Sequence, residues 1–401
     1  MKFDTVIIGG GAAGLLCAIA AKRKHPTMKI AVLEKNDRVG KKLLSTGNGR
    51  CNLTNTAVSA DKYAGSFQKQ SARVLERVNT EKLLQYFENL GLLTSADSEG
   101  RVYPLCRQAA VVLDVLRFNC EVAGVEIYCK ESIKSVKAQK NFVIVTANGE
   151  FVCDKLVIAT GSKASPKLGG SAAGADMLRN FGHRVLPFAP ALCPVKVQSN
   201  ILKSLKGLRA GGAVSLLRNG NAIKRERGEV QFNEDSLSGI CVFNLSLQTK
   251  RGDEIAVDLL PDISEKELYN ILIKNKELFS QLTIDNLLTG ILQKRMAQAV
   301  LKTAEIKDFS RLCRDLSDEE LCAVAHSAKD MRFAVTENDG FDRAQACMGG
   351  VLGTEIDETT MQSRVRKNLY VCGEAVDLCG ECGGFNLHFA FASGIIAGES
   401  L

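Results

Sequence analysis

The chain has 401 residues, 45% of them hydrophobic and 24% charged, and carries a formal net charge of +7. This length exceeds one small core and points to two or three domains of ordinary globular composition. A membrane-spanning chain is excluded because no apolar stretch approaches about 20 residues, and a disulfide scaffold because fourteen cysteines in so long a chain read as reduced thiols. Met1-Lys2-Phe3-Asp4 leads straight into an apolar segment without an export signal, so a cytoplasmic protein with no membrane partner is expected. The mild positive charge suits an anionic cofactor or substrate and argues against nucleic acid as the main partner.

Asp4–Ile8 reads as a short strand, Gly9-Gly10-Gly11-Ala12-Ala13-Gly14 as a glycine turn opening an Ala-rich helix, and Ile30–Leu33 as a second strand. Glu34 ends that strand, twenty residues after Gly14. Each part serves dinucleotide binding. Gly9 permits the tight turn, Gly11 lets the backbone approach a pyrophosphate, and Gly14 lets helix and strand pack closely. Unpaired N–H groups at the helix start, Ala12 and Ala13 among them, face the phosphates. Glu34 is placed to accept hydrogen bonds from the ribose of FAD or NAD(H). Strand, turn, helix, strand and acid together predict an α/β fold with a Rossmann-like unit.

From Lys35 to Ala57 the chain is polar and glycine-rich and reads as a long loop, a kind of segment usually retained for function. Two helices follow. The second starts at Asn79-Thr80, carries Leu83, Leu84 and Phe87 on one face, and stops before Gly91. Gln108–Ala123 is a further apolar helix. Val125–Tyr128, Ile133–Ala138, Phe142–Thr146 and Lys155–Ala159 read as strands, with Asn148-Gly149 as a hairpin turn between the last two. Gly169-Gly170-Ser171-Ala172-Ala173-Gly174 follows no strand and lacks the middle glycine. It opens a helix ending near Gly182 and does not make a second nucleotide site.

Pro187, Pro190 and Pro194 mark a boundary. Beyond it, alternating segments such as Ala213–Leu217 and Ile255–Leu259, spaced by turns like Arg218-Asn219-Gly220-Asn221, suggest an antiparallel sheet or small barrel. From Ser264 to about Ala328 the pattern is helical, with Ser264/Glu267 and Ser317/Glu320 as capping boxes. The α/β texture returns near Phe341. The domain reading is a nucleotide domain in two pieces, 1–187 and 344–401, around an insert 188–343 that is β-rich to 262 and mostly helical from 263.

In the last piece, an apolar strand from Asn368 runs into Cys372-Gly373-Glu374, where the acid accepts from a ribityl hydroxyl and the glycine avoids a clash. Cys379-Gly380-Glu381-Cys382-Gly383-Gly384-Phe385-Asn386 then opens an apolar helix, Leu387–Ala397. Its N-terminus points at a flavin and favours negative charge at N1/O2. A Gly-Glu strand and a helix closing back on the first βαβ unit distinguish FAD from NAD.

On these residues the chain resembles the bacterial FAD-binding oxidoreductases grouped with the aminoacetone oxidases and the bile-acid-type flavin reductases. The match runs essentially end to end. It rests on Gly9–Gly14, Gly47-Asn48-Gly49-Arg50-Cys51-Asn52, Gly349-Gly350-Val351, Thr360-Met361, Gly373-Glu374 and Gly383-Gly384-Phe385-Asn386-Leu387. Gln362 and Cys379 depart from the family's usual Glu and Asp. The resemblance implies a glutathione-reductase-type split FAD domain with an inserted β-barrel and a small helical domain. It places Arg50, Cys51 and Asn52 along the cofactor near the flavin, with Ser45 and Gly47 shaping the loop and Lys35 and Lys41 in the same binding set. Ile133 offers backbone groups to adenine, and Thr160 and Gly161 cross beneath the adenosine–phosphate part. Gly373 and Glu374 hold ribityl and phosphate, while Gly384, Phe385, Asn386 and Leu387 bring helix N–H groups to the pyrimidine edge.

The implied activity is hydride transfer between a small organic substrate and N5 of non-covalently bound FAD. Oxygen, or NAD(P)H docking transiently without a domain of its own, is the other partner. Oxidation of a small amine and reduction of an unsaturated or keto substrate both stay open, as does the oligomeric state. The alternatives are an RNA-associated flavoprotein, suggested by Lys203, Lys206, Arg209, Lys224, Arg225 and Arg227, and a flavin-binding regulator without turnover. His388, one turn into the flavin-facing helix, is the candidate catalytic acid or base, with a packed histidine as the competing reading. Cys379 and Cys382 have redox-dithiol spacing, but small packing beside Gly-Gly is favoured over an electron relay, and no metal is expected.

Overall fold

Ile30–Glu34 is buried at every position, the pattern of a strand covered on both faces of a parallel sheet. In the computed structural model, which describes residues 1–401, it lies parallel to Lys2–Ile8 on one side and to Glu126–Cys129 on the other. Lys2–Ile8 pairs in turn with Glu150–Ile158. That strand forks. Its end, Leu156–Ile158, pairs in parallel with Leu369–Val371, while its start pairs antiparallel with Phe142–Thr146, beyond which lies Ile133–Ala138. The result is one seven-stranded sheet. Its parallel strands end together at Ile8, Glu34, Cys129, Ile158 and Val371, the edge at which open α/β sheets bind ligands.

Two helices pack on each other beside this sheet. Ala12–Lys24 buries every residue from Ala13 to Ala21, and Phe385–Glu399 buries twelve of its fifteen residues. Helices apolar on all sides belong inside a core. Small residues let these two approach: a Cβ at Gly394 or Gly398 would strike the carbonyl of Ala13 or Cys17. Leu15, Leu16, Ile395 and Ile396 are buried beside them, each such side chain contributing about 1.5–3 kcal/mol. The last helix of the chain thereby holds the first.

The chain divides into two units, Met1–Ala191 with Phe341–Leu401, and Leu192–Gly340. Val185–Ala191, which spans the Pro187 boundary, pairs with Ala346–Val351 and so stays with the first unit. The second unit holds a closed barrel of six antiparallel strands, in the order Val195–Gln198, Ser236–Ser238, Asn221–Phe232, Arg209–Arg218, Glu254–Asp258 and Met331–Asn338. Asn219 and Gly220, at φ 52° and 79°, make the tight turn of its long hairpin. Leu216, Phe232, Ile255, Val257 and Phe333 fill the core. Helices Glu265–Leu278 and Asp318–Lys329 carry capping boxes at Ser264 and Ser317.

Two details differ from the sequence reading. The barrel's last strand, Met331–Asn338, lies in the segment expected to be mostly helical. It alternates buried Met331, Phe333 and Val335 with exposed Arg332 and Ala334, a period-two signal too short to stand out beside the preceding helices. The expected loop Lys35–Ala57 contains a short helix, Lys41–Ser45, and a tight 3-10 turn, Thr46–Gly49.

Candidate functional site

The glycine turn sits at the ligand-binding edge. A Cβ at Gly14 would collide with the carbonyl of Gly9, so helix and strand meet at backbone distance there, whereas a Cβ at Gly11 would meet nothing within 4 Å. Gly11 thus faces open space. The helix behind it has no side-chain cap and no acid in its first turn, leaving the N–H groups at Ala12 and Ala13 for an anion.

Glu34 is 8% exposed at the end of its strand. Its Oε2 accepts from the Gly10 N–H at 3.0 Å, and Oε1 accepts from the backbone N–H and side-chain amide of Asn36 at 2.8 and 2.7 Å. A carboxylate has about four acceptor sites, so one remains for a hydroxyl. Lys35 projects into solvent. Ile133 begins the edge strand opposite Thr146, next to a bulge.

Two non-glycine residues between 40 and 52, Asn48 and Cys51, hold left-handed backbone. Gly47, Asn48, Gly49 and Cys51 all have positive φ, at 57°, 55°, 80° and 57°, and such clusters of left-handed residues occur where surrounding structure enforces a functional shape. Ser45 Oγ donates to the Lys42 carbonyl at 2.8 Å. The exposed Arg50 guanidinium lies 5.3 Å from the centre of the Tyr103 ring, which Arg107 also approaches, at 5.5 Å. Cys51 is fully buried, and burial pushes its thiol up to about 12. Asn52 Oδ1 is buried without a donor.

The chain's last piece completes the edge. Gly373 follows Leu369–Val371, and its N–H donates to Ser393 Oγ at 2.9 Å. Glu374 forms an ion pair with Lys42 and accepts from Ser162 Oγ at 3.1 Å. Gly161, at φ 70°, passes beside Glu374, and the buried Thr160 Oγ1 has no partner. Gly384, at φ 101°, precedes Phe385–Glu399, whose N-terminus has no side-chain cap. Phe385 is buried edge-on against Tyr63, whose hydroxyl donates to the Phe385 carbonyl at 2.8 Å, and Leu387 is half-buried. The Asn386 side chain is occupied: Oδ1 accepts from the Gly380 N–H and Nδ2 donates to the Gly380 carbonyl, both at 2.8 Å. The backbone N–H groups of this helix start take no side-chain cap.

His388 requires a correction. It is 0% exposed, with Nδ1 paired to Thr54 Oγ1 at 2.7 Å and Nε2 to the Val78 carbonyl at 2.9 Å. Burial holds its imidazole down at about 4. Both ring nitrogens are engaged inside the core, so it is a packed histidine and not an acid or base presented to substrate. Cys379 is likewise buried, and burial, with Glu374 nearby, pushes its thiol well above the ordinary value. Lys41 pairs with the exposed Asp37 at 2.9 Å. Its neighbour Lys42, missed in the sequence, reaches Glu374. Also missed was a buried chain, Ser363 Oγ to His183 Nε2 at 2.8 Å and His183 Nδ1 to Glu355 at 2.9 Å. It has the composition of a hydrolase triad, but Ser363 Oγ is buried and accepts the Val365 and Arg366 N–H groups, so it offers no nucleophile.

The dinucleotide turn, Glu34, the 47–51 segment, Gly373-Glu374 and an uncapped helix start thus share one sheet edge, with open space at Gly11 and acceptor atoms unfilled at Asn52 and Thr160. These features fit FAD. The protein is a Rossmann-like oxidoreductase of an FAD-binding family. The family described as HI0933-like protein Rossmann domain matches residues 3–400, and the chain belongs to that family. The chain is 33% identical to the 3-dehydro-bile acid delta(4,6)-reductase of Clostridium scindens, covering 98% of each protein. It is 28% identical to the ribosomal RNA dihydrouridine synthase of Escherichia coli, over 100% of this chain and 98% of that protein. Among solved structures, 3-ketosteroid-delta4-(5alpha)-dehydrogenase from Rhodococcus jostii shares the fold, with TM-score 0.51 and 14% identity over 100% of this chain and 96% of that one. No helix is long and apolar enough to cross a membrane.

Proposed function

We propose that this protein is an FAD-dependent reductase adding two hydrogens across a carbon–carbon double bond conjugated to a carbonyl in a small organic substrate. One observation carries the direction of the reaction. The two relatives are named for unlike substrates, a bile acid and ribosomal RNA, yet both names describe saturation of a double bond. A 3-dehydro bile acid has a ketone beside its delta(4,6) bonds, and dihydrouridine is uridine saturated beside a ring carbonyl. A polarised double bond is common to both, and oxidation of an amine is not.

FAD, when bound, supplies hydride transfer at N5. Gly9, Gly11 and Gly14 with the N–H groups of Ala12 and Ala13 hold the pyrophosphate, Glu34 the ribose, and the Ile133 backbone the adenine. Thr160, Gly161, Gly373 and Glu374, with Lys42 and Ser162, hold the ribityl–phosphate part. Ser45, Gly47, Arg50 and Asn52, together with the backbone from Gly384 to Leu387, border the isoalloxazine. Preorganised N–H groups at that uncapped helix start favour negative charge without reorganising. Binding is non-covalent: the Cys51 and Cys379 thiols stay protonated and His388 is enclosed. NAD(P)H delivers electrons by transient docking, because the fold has one dinucleotide turn and Gly169–Gly174 follows a 3-10 turn, Pro166–Leu168, instead of a strand.

A small molecule is favoured over RNA as substrate. Of the six basic residues in the second unit that suggested RNA, five are paired with carboxylates: Lys206, Arg209, Lys224, Arg225 and Arg227. The test is anaerobic incubation of FAD-loaded protein with NADH or NADPH and a panel of conjugated enones, with product mass as the readout. A product two hydrogens heavier is expected. Enones left intact while a uridine oligonucleotide is reduced would move the reading to RNA, and an amine oxidised under air would reverse its direction.

A further inference from the structure

Five buried side-chain atoms lack a hydrogen-bond partner: Asn52 Oδ1, Gln70 Oε1, Tyr86 Oη, Glu131 Oε2 and Thr160 Oγ1. Asn52 and Thr160 belong to the site already described, whereas Glu131 belongs to no part of it. Its residue is 6% exposed, and a carboxylate this enclosed needs donors on both oxygens. Oε1 has one, the Asn148 Nδ2 amide at 3.1 Å, which the Lys130 carbonyl also holds in place at 3.2 Å.

The backbone fixes where the unfilled oxygen belongs. The Glu131 N–H donates to the Glu34 carbonyl at 2.9 Å, and the Lys130 N–H donates to the Asn36 carbonyl at 2.8 Å. Glu131 therefore sits directly against the acid proposed to hold the ribose, two residues before the backbone proposed to hold the adenine. The adenosine half of a dinucleotide has few donors: the two ribose hydroxyls, one of them proposed for the acceptor site left on Glu34, and the exocyclic amine, proposed for the Ile133 backbone two residues on. That amine has two hydrogens, and a backbone carbonyl takes only one. We propose that Glu131 Oε2 accepts the other and thereby selects an adenine base over one carrying a carbonyl at the same position. The assignment rests on the FAD reading above and goes beyond it in naming the base-reading residue.

The test compares the affinities of apoprotein for FAD and for its hypoxanthine counterpart, in which a carbonyl replaces the amine, by flavin fluorescence. Wild type should prefer FAD by about tenfold or more, because the counterpart sets oxygen against oxygen and leaves the carboxylate unpaired. Glu131→Gln, which can present an amide donor, should abolish or invert that preference. Glu131→Leu should lower FAD affinity while the apoprotein melts at the same or a higher temperature, since an unpaired buried carboxylate has been removed. A purely structural role would instead lower the melting temperature and leave the ratio of the two ligands unchanged, overturning the assignment. Equal binding of both ligands by wild type would overturn it too, with the FAD reading intact; binding of neither would overturn both.

Discussion

Lys42 and Glu374 stand 332 positions apart and form an ion pair, joining the first and last pieces of the sheet unit at the proposed ribityl–phosphate position. Both side chains are partly exposed, so the pair adds little to folding stability. Its consequence is placement of a carboxylate. Glu374→Gln should weaken FAD roughly tenfold, the scale of one charge-assisted hydrogen bond, with little change in apoprotein melting. Lys42→Met should weaken FAD at least as much, because it leaves a carboxylate beside a phosphate without its counter-charge. The double variant should recover part of that loss. Titration calorimetry showing Lys42→Met at wild-type affinity would remove both residues from the site.

Glu34 ties the glycine turn to the following segment and is the residue proposed to hold the ribose. Glu34→Ala should therefore weaken FAD by about 1.5–3 kcal/mol for each charge-assisted bond lost. Asn36→Ala, which removes only the amide clamp on Oε1, should have a smaller effect. Unchanged affinity in Glu34→Ala would contradict the ribose role.

His388 predicts an acid-sensitive fold. Its imidazole titrates at about 4 in the folded protein, against an ordinary 6.5. Between these values the unfolded chain binds a proton that the folded chain refuses, so stability falls as pH falls from 6.5 to 4. The loss reaches roughly 3 kcal/mol and levels off below. The wild-type minus His388→Gln difference in urea-melt stability should slope across that window and flatten above pH 7. A difference independent of pH would contradict the enclosed, neutral imidazole. If His388→Gln folds, its turnover should stay within a few-fold of wild type.

Cys379 and Cys382 test the relay. Dithionite titration of the FAD-loaded protein should consume about two electrons per flavin in wild type and in the double serine variant, since a thiolate is the reactive form of cysteine and Cys379 is held as a thiol. Uptake of four electrons by wild type and two by the variant would establish a redox dithiol.

Much of the sheet edge is readable from residue spacing because its parts are local. Ile133–Ala138 and Phe142–Thr146 fall at their expected limits, set by alternation and turn chemistry, and Asn148-Gly149 does make the following turn. What stays hidden is contact between distant segments. The Lys42–Glu374 pair depends on a five-residue helix, Lys41–Ser45, that looks like loop in a glycine-rich run. His388 lies in a helix apolar on every side, so no hydrophobic face distinguishes inward from outward. The Asn386 clamp on Gly380 and the unfilled Glu131 oxygen need coordinates, since neither leaves a periodic or compositional mark.

The reductase reading is tested most directly by one anaerobic stopped-flow measurement. Protein whose FAD has been reduced with one equivalent of NADH or NADPH is mixed with a conjugated enone, and the oxidised-flavin absorbance is followed. The expected result is return of that absorbance without oxygen, at a rate rising with enone concentration and with the saturated carbonyl compound as product. Flavin that stays bleached with every enone, and is reoxidised only by oxygen after reduction by an amine, would contradict it.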